Sequence, residues 1–347
     1  MDFEIEGRGI GPQHPPYIIA ELSANHNGSL ERALKSIETA KRCGADAVKI
    51  QTYTAETMTI DCDRPEFTVQ GGLWDGMTLY QLYQAAHTPF EWHAAMFDFA
   101  RRIGITIFST PFDESAVDLL ESIGAPAYKI ASFEATDLPL VRYVARTGKP
   151  MIISTGMASE AEIAETVDTA RTAGCSHLVL LHCISSYPAP VAQANVRQIA
   201  ALARRFGCLS GLSDHTMGTA VPVAAVAVGA SVIEKHFTLS RAEKGPDSEF
   251  SLEPTELREM CENARIAWAA LGQEGFRRQP AEDASRIFRR SIYFVRDVAQ
   301  GAEITQDDIR RIRPGLGLAP KHFEELLGRR TKVAVARGTP ASWGLLE

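Results

Sequence analysis

Residues 211–247 read GLSDHTMGTAVPVAAVAVGASVIEKHFTLSRAEKGPD. Two short apolar runs, GLSDH and SVIEKHF, flank an Ala/Val-rich stretch of helical character, so the segment predicts two neighbouring parallel strands joined by a helix. Each run ends in a histidine, His215 and His236. Adjacent strands lie about 4.8 Å apart. The two imidazoles therefore emerge side by side at one end of a sheet, as a pair able to share a metal ion.

Outward from this unit the same alternation recurs. YIIAELSAN, ADAVKIQ, ITIFSTP, AYKIAS, PMIISTG and LVLLHC are each followed by a helical pattern and then Gly or Pro. Eight strands alternating with helices predict a parallel sheet closed into a (β/α)8 TIM barrel, expected over about residues 17–275 within a catalytic domain of 1–275. FEIEGRGIG, ahead of the first strand, reads as a hairpin. Leu30, Ala33, Leu34, Ile37 and Ala40 recur at helical spacing up to Gly44, which suits a left-handed stop. Ser159 and Glu162 form a capping-box signal at the start of the fifth helix.

The segment from Thr52 to Thr88 departs from this pattern: it is long, carries aromatics and glycines, and only TLYQLYQAA is helical in character. Loops of this length serve a site or pack over a barrel rim. Beyond residue 276 the pattern changes to short strands (SIYFVRDV, KVAVA) among Gly/Pro turns, with helical turns starting near Thr305 and Pro320. A linker over 276–288 and a separate small domain over 289–347 are expected.

The composition excludes several classes. A formal net charge of -7 with no lysine/arginine run leaves no footprint for nucleic acid or an anionic membrane surface, so the expected partners are small molecules or copies of the chain. The amino terminus lacks a signal-peptide pattern and no apolar run is long enough to span a bilayer, which predicts a cytoplasmic protein. Six cysteines without a CxxC pair read as core thiols, neither a disulfide framework nor a zinc site.

Side-chain parity selects candidate site residues. Alternate strand residues face the barrel interior, and barrel sites lie at the carboxyl ends of the strands. With Val48 and Ile50 packed on helices, Lys49 and Gln51 point inward. Glu234 and His236 share the inner face and Ile233 and Lys235 the other; Ser213 pairs with His215, and Glu21 with Ser23 and Asn25. Burying Lys49, Lys129, Glu21, Glu134 and Glu234 together is costly unless they pair or meet a ligand. One reading is a buried structural network. The set as a whole, gathered at strand ends, points to a site.

Two inward lysines, the serines Ser132, Ser154, Ser185 and Ser213, and the glycine of STG suit an oxyanion such as phosphate or carboxylate. His215 and His236, with Glu21 nearby, suit a five- or six-coordinate divalent ion that polarises a carbonyl, with manganese or magnesium favoured and cobalt a further candidate.

IAELSANHNG, DAVKIQT, FSTPFD, AYKIAS, ISTGMA, SSYPAP, GLSDHT, VIEKHFT and GPD stand in the order found in the sialic acid (nonulosonic acid) synthase family, and the chain resembles that family over nearly its whole length. The tail, from FRRSIYFVRDVAQGAEIT through RPGLGL to GTP, resembles the family's antifreeze-protein-like SAF domain of β-clip type. Within the family, GGLWDGMTLYQLYQAAHTPFEWH and CISSYPAP look more like the pseudaminic acid synthase branch; Ser185 stands where the N-acetylneuraminate branch typically has Asn. Two departures are Ile184, where Thr is usual, and Lys244, where Gly often precedes GPD.

The resemblance implies condensation of phosphoenolpyruvate with an amino-sugar aldose. The acceptor implied by the branch is 2,4-diacetamido-2,4,6-trideoxy-altropyranose, with N-acetylneuraminate or legionaminate synthesis as the alternative. It further implies a metal on His215 and His236, and phosphoenolpyruvate on Lys49, Lys129, Ser132, Ser154, Ser185 and Ser213. Glu134 and Glu234 share the roles of general base and charge stabiliser, unassigned between them. Glu21 and Asp247 bind the metal shell or sugar hydroxyls, with Gln51 and Tyr187 beside them. A domain-swapped homodimer would bring Arg313 to the partner's sugar site. A pyruvate aldolase with a Schiff base on Lys129 or Lys49, and a sugar-binding protein without activity, are the competing readings.

Overall fold

The computed structural model describes residues 2–71 and 74–347. Gly72 and Leu73 of the GGLWDG segment lie outside the described residues. Two compact units divide the chain, the first ending at Gly272 and the second running from Gln273 to Glu347.

The first unit opens with an antiparallel hairpin, β1 (Phe3–Ile5) and β2 (Arg8–Ile10). Eight parallel strands follow: β3 (Tyr17–Glu21), β4 (Ala47–Thr52), β5 (Thr106–Pro111), β6 (Tyr128–Ile130), β7 (Met151–Ser154), β8 (Leu178–Cys183), β9 (Leu209–Asp214) and β10 (Val232–His236). They pair in sequence order and β10 closes on β3, giving the expected (β/α)8 barrel.

Period-two alternation explains what the barrel contains. Residues facing the helices, such as Ile18, Ala20, Val48, Ile50, Ile153, Leu180 and Ile233, join the large core between strands and helices. Those facing inward near the strand starts are apolar: Tyr17, Ile19, Ala47, Phe108, Ile152, Val179 and Val232 cluster with Phe3, Ile5 and Ile10 of the hairpin, which plugs the amino-terminal end. Two positions further along, the inward residues of β3, β4, β5, β7 and β10 turn polar, at Glu21, Lys49, Thr110, Ser154 and Glu234. A Cβ at Gly211 would stand 2.1 Å from the Val232 carbonyl oxygen, so only glycine lets β9 pack there against β10.

The helices begin and end where local chemistry dictates. The first, α1 (Leu30–Cys43), is capped by the Ser29 side chain and stopped by Gly44 at φ 95°. The long loop after β4 carries α2 (Ala55–Met58), a 3-10 turn over Pro65–Phe67 and α3 (Leu79–Ala86). The reading of TLYQLYQAA as its only helical part missed α2, whose signal is a reciprocal Thr54–Thr57 cap. Next come α4 (Phe90–Ile103), α5 (Glu114–Ser122), α6 (Leu138–Ala145), α7 (Glu160–Thr172), α8 (Gln198–Phe206), α9 (Ala220–Ala227) and α10 (Pro254–Ala270). Ser159 and Glu162 form the capping box at the start of α7.

In the second unit β11 (Ser291–Phe294) pairs antiparallel with β12 (Ile309–Ile312) around a small core that includes Ile292, Phe294, Ile304, Ile309 and Leu326. KVAVA does not form a strand; Val335 makes an isolated bridge to Val298. The helical turn expected at Thr305 is a single turn: the Asp308 N–H donates to the Thr305 carbonyl at 3.1 Å, and the Asp308 carboxylate accepts the Thr305 backbone N–H and hydroxyl, before the chain enters β12. The turn at Pro320 leads into α11 (Phe323–Leu326). All six cysteines are free and five are buried, Cys62 being half-buried. No helix among the described residues is long and apolar enough to cross a membrane.

Candidate active site

The polar layer lies at the carboxyl ends of the barrel strands. Lys49 donates to Thr110 Oγ1 at 3.0 Å, and its Nζ lies 2.7 Å from Glu21 Oε2 and 3.7 Å from Glu234 Oε1. Lys129 Nζ donates to Ser154 Oγ at 2.6 Å and stands 4.0 Å from the same Glu234 oxygen. Ser213 donates to Glu234 Oε1 at 3.2 Å. Two lysines thus flank one carboxylate, and all four charged groups are buried.

Ser132 and Ser185 converge on Gly156. A Cβ there would lie 2.6 Å from either hydroxyl, so the glycine leaves open a cradle walled by donors. Cys183 joins the two walls, with its Sγ 2.9 Å from Ser132 Oγ and 3.7 Å from Ser185 Oγ.

Charge states follow from burial and neighbours. Burial alone raises the Glu234 carboxyl, but the Lys129 and Lys49 ammoniums outweigh it and hold Glu234 ionised, below the ordinary range. Glu21 contacts Lys49, yet complete burial beside the Glu234 charge raises its carboxyl above the usual value. Burial opposes the Lys49 ammonium, but Glu21 and Glu234 more than restore it, and its pKa is raised. Lys129 is lowered by burial and by repulsion from Lys49. Glu134 differs again. Burial pushes it up to about 7, and its Oε2 is buried without a hydrogen-bond partner among the described residues.

The histidines stand as the strand pairing predicts, with ring centroids 5.5 Å apart. Burial lowers the pKa of both, most strongly for His236, so both imidazoles are neutral. His215 Nδ1 bonds to the Ile184 carbonyl at 2.8 Å; a carbonyl only accepts, so the proton is on Nδ1 and Nε2 is left free. His236 Nδ1 is buried with no partner among the described residues. Two neutral rings with available nitrogens fit a divalent cation. No group of three or more His, Cys, Asp or Glu among the described residues is arranged to hold one. His215 and His236 would be the two protein nitrogens for such a cation, with water or substrate oxygen supplying its other ligands.

Around the pair stands an aromatic wall. The Tyr187 ring lies 4.4 Å from His215 and 5.2 Å from Phe250, and Trp74 lies 6.3 Å from Tyr187 while its indole N–H donates to the Pro246 carbonyl. Asp247 accepts from the Ser23 hydroxyl, and burial raises its carboxyl. Gln51 Nε2 donates at 3.0 Å to both Glu21 and Ser23, linking the carboxylate layer to Asp247.

The structure thus brings Glu21, Lys49, Lys129, Ser154, Ser213 and Glu234 into one contact network, with Gln51 attached to Glu21 and, through Ser23, Asp247 attached to Gln51. Ser132 and Ser185 form the cradle, and His215, His236 and Tyr187 form a second group. Asn25 belongs to neither: its amide holds the Phe237 carbonyl and Ser251, anchoring the loop after β10. Arg313 is an exposed residue of the second unit. Thr110 and Cys183 were not singled out from the sequence, although both have inward parity at strand ends. Trp74 and Phe250 lie on loops and carry no periodic signal.

This is a (β/α)8 barrel protein whose carboxyl-terminal mouth gathers buried lysines and carboxylates, serine hydroxyls and two neutral imidazoles. The chain belongs to the NeuB family, whose pattern matches residues 36–275, with an SAF domain matched over 289–347. It is 43% identical to the pseudaminic acid synthase of Helicobacter pylori (strain ATCC 700392 / 26695) over 94% of this chain and 97% of that protein. It is 36% identical to the N,N'-diacetyllegionaminic acid synthase of Legionella pneumophila, covering 95% of this chain and 94% of the relative. Among solved structures, an N-acetylneuraminic acid synthetase from Leptospira borgpetersenii, in complex with citrate, superposes with a TM-score of 0.74 at 31% identity, covering 82% of this chain and 95% of that one.

Proposed function

We propose that the chain is a pseudaminic acid synthase, condensing phosphoenolpyruvate with 2,4-diacetamido-2,4,6-trideoxy-altropyranose and water to give pseudaminic acid and phosphate. The observation that carries this reading is the juxtaposition, at one barrel mouth, of an oxyanion cradle and a pair of neutral imidazoles. Similarity to pseudaminic acid synthases along the chain supports the choice of sugar. Phosphoenolpyruvate lies on Lys49, Lys129, Ser132, Ser154, Ser185 and Ser213, where charge-assisted bonds meet its phosphate and carboxylate. A divalent cation, manganese, magnesium or cobalt, held by His215 and His236, supplies Lewis-acid polarisation of the sugar carbonyl.

The residues do the rest. Holding both reactants in one cleft lets C3 of phosphoenolpyruvate attack the open-chain aldehyde carbon. Positive charge then develops at C2 and faces the ionised Glu234. Glu134, with a pKa of about 7, takes a proton from the water that adds to C2. The proton taken from water passes to the former aldehyde oxygen, and cleavage of the C2–O bond releases phosphate, which carries off the C2 hydroxyl proton and leaves the keto acid. Glu21, Gln51, Tyr187 and Asp247 hold the sugar hydroxyls. The reading places the protein in the cytoplasm, with a catalytic domain over 1–275, a linker over 276–288 and an SAF domain over 289–347.

A swapped homodimer completes the site in this reading. Phe133, Met157, Val191 and Met217 stand exposed on the loops that follow β6, β7, β8 and β9, an apolar rim that water covers poorly. The second unit exposes Ile312 and Leu316, next to Arg313 in sequence, and also Phe288. A second copy's SAF domain on this rim buries both surfaces and brings its Arg313 to the sugar.

The test is phosphate release from phosphoenolpyruvate with a panel of amino-sugar aldoses. The 6-deoxy diacetamido sugar gives the fastest release, a chelator abolishes it, and manganese restores it. Preference for N-acetylmannosamine moves the chain to the neuraminate branch. The lowered pKa of Lys129 favours a second reading, a Schiff-base aldolase; borohydride trapping with free pyruvate and no need for phosphoenolpyruvate would establish it instead.

A further inference from the structure

On the outer face of the same two strands that carry the histidines, Asp214 is the register partner of Lys235. Both side chains are buried between sheet and helices, Lys235 completely. Lys235 Nζ donates to Asp214 Oδ2 at 2.5 Å and also to the Thr216 carbonyl. Asp214 in turn accepts the Thr216 backbone N–H at 3.1 Å and the Thr216 hydroxyl at 3.0 Å. The residues bonded this way flank His215 on both sides, and Lys235 immediately precedes His236.

A buried ion pair is a poor source of stability, since apolar residues of the same volume serve as well or better. Its hydrogen bonds are directional, however, and here they join β10 to the last residue of β9 and to the turn beyond it. From this geometry we infer that Asp214 and Lys235 are positioning residues. They lock the backbone on either side of His215 to the residue before His236, and so set the spacing and aim of the two imidazoles toward a shared divalent cation. The inference rests on the metal reading proposed above. It assigns the outer face of the strands a role in how tightly the inner face holds the ion.

The test is Mn2+ affinity of the metal-free full-length protein, read by the electron paramagnetic resonance signal of free Mn2+, with urea unfolding measured in parallel. Asp214→Asn combined with Lys235→Met removes both charges together. The new amide keeps an acceptor for the Thr216 N–H and offers a donor to the Thr216 carbonyl that Lys235 vacates. Groups that orient metal ligands typically contribute ~10–100-fold in affinity. A loss of that size with an unchanged urea midpoint supports the positioning role. A second variant, Asp214→Glu, keeps the ion pair but lengthens it by a methylene, and is expected to weaken Mn2+ binding at least severalfold while remaining folded. Wild-type affinity in whichever of these variants folds overturns the inference. His236→Ala separates the two levels: if it also binds Mn2+ as the wild type does, the metal reading itself fails, and the positioning role with it.

Discussion

At Gly156 the barrel mouth has room for a hydrogen and nothing larger, because Ser132 and Ser185 close on it from two sides. Gly156→Ala fills the cradle, and the expected result is a rise of roughly tenfold, or ~1.4 kcal/mol, in KM for phosphoenolpyruvate with KM for the sugar unchanged; equal changes in both would remove the serines from the anion site. Glu134 sets a pH dependence. If it acts as base it must be ionised, so kcat/KM rises as pH passes through about 7. Glu134→Gln removes that limb and lowers the rate by ~10²–10⁴. The stability effect has the opposite sense. A carboxyl raised from 4.5 to about 7 by burial stabilises the fold fully below 4.5, and that contribution is lost as pH rises through about 7. Glu134→Gln therefore flattens the pH dependence of the urea midpoint between pH 5 and 8, which a denaturation series checks.

Among the elements, strands were the most legible. β3 to β10 alternate an apolar, helix-facing residue with an inward one, and that alternation marked Glu21, Lys49, Ser213 and Glu234 as interior before any contact was known. Loops were less so. The partnership of Ser23 with Asp247 spans 224 residues and has no local signal. Lys244 shows how a loop departure can still carry information. It adopts φ 47°, in the left-handed region, at a position where a glycine is usual in the family it resembles. Lys244→Gly is expected to raise unfolding stability by up to about 1 kcal/mol, measured by urea denaturation, because a side chain with a Cβ is strained there. A fall in stability would mean that contacts of the lysine outweigh its backbone conformation.

For the whole molecule, the prediction concerns whose Arg313 serves which barrel. Arg313→Ala should raise KM for the sugar far more than KM for phosphoenolpyruvate. Mixing the His236→Ala and Arg313→Ala proteins, with subunit exchange and at a sugar concentration well below the raised KM so that neither is active alone, tests the swap directly. If the arginine crosses between copies, each mixed dimer has one intact barrel facing one intact Arg313, and roughly a quarter of wild-type activity per site returns. No recovery means that each barrel uses its own chain's arginine; wild-type KM for the sugar in Arg313→Ala alone means that it uses none. The change of pattern marks a boundary near residue 276, and the chain divides between Gly272 and Gln273. The KVAVA segment was misread because, in so small a domain, bridges to distant residues decide what a short apolar run becomes.

By itself the sequence determined the barrel and the side of each strand that faces inward, because both depend on the period of a repeating pattern and on little else. Tertiary structure alone decided the charge states. Glu21, Glu134 and Glu234 are the same residue type at similar strand ends, yet Glu234 is held ionised and Glu134 is pushed up to about 7. The difference comes from closing the barrel, which sets Lys49 and Lys129 at 3.7 and 4.0 Å from Glu234, whereas Glu134 is desolvated with no ion-pair partner among the described residues.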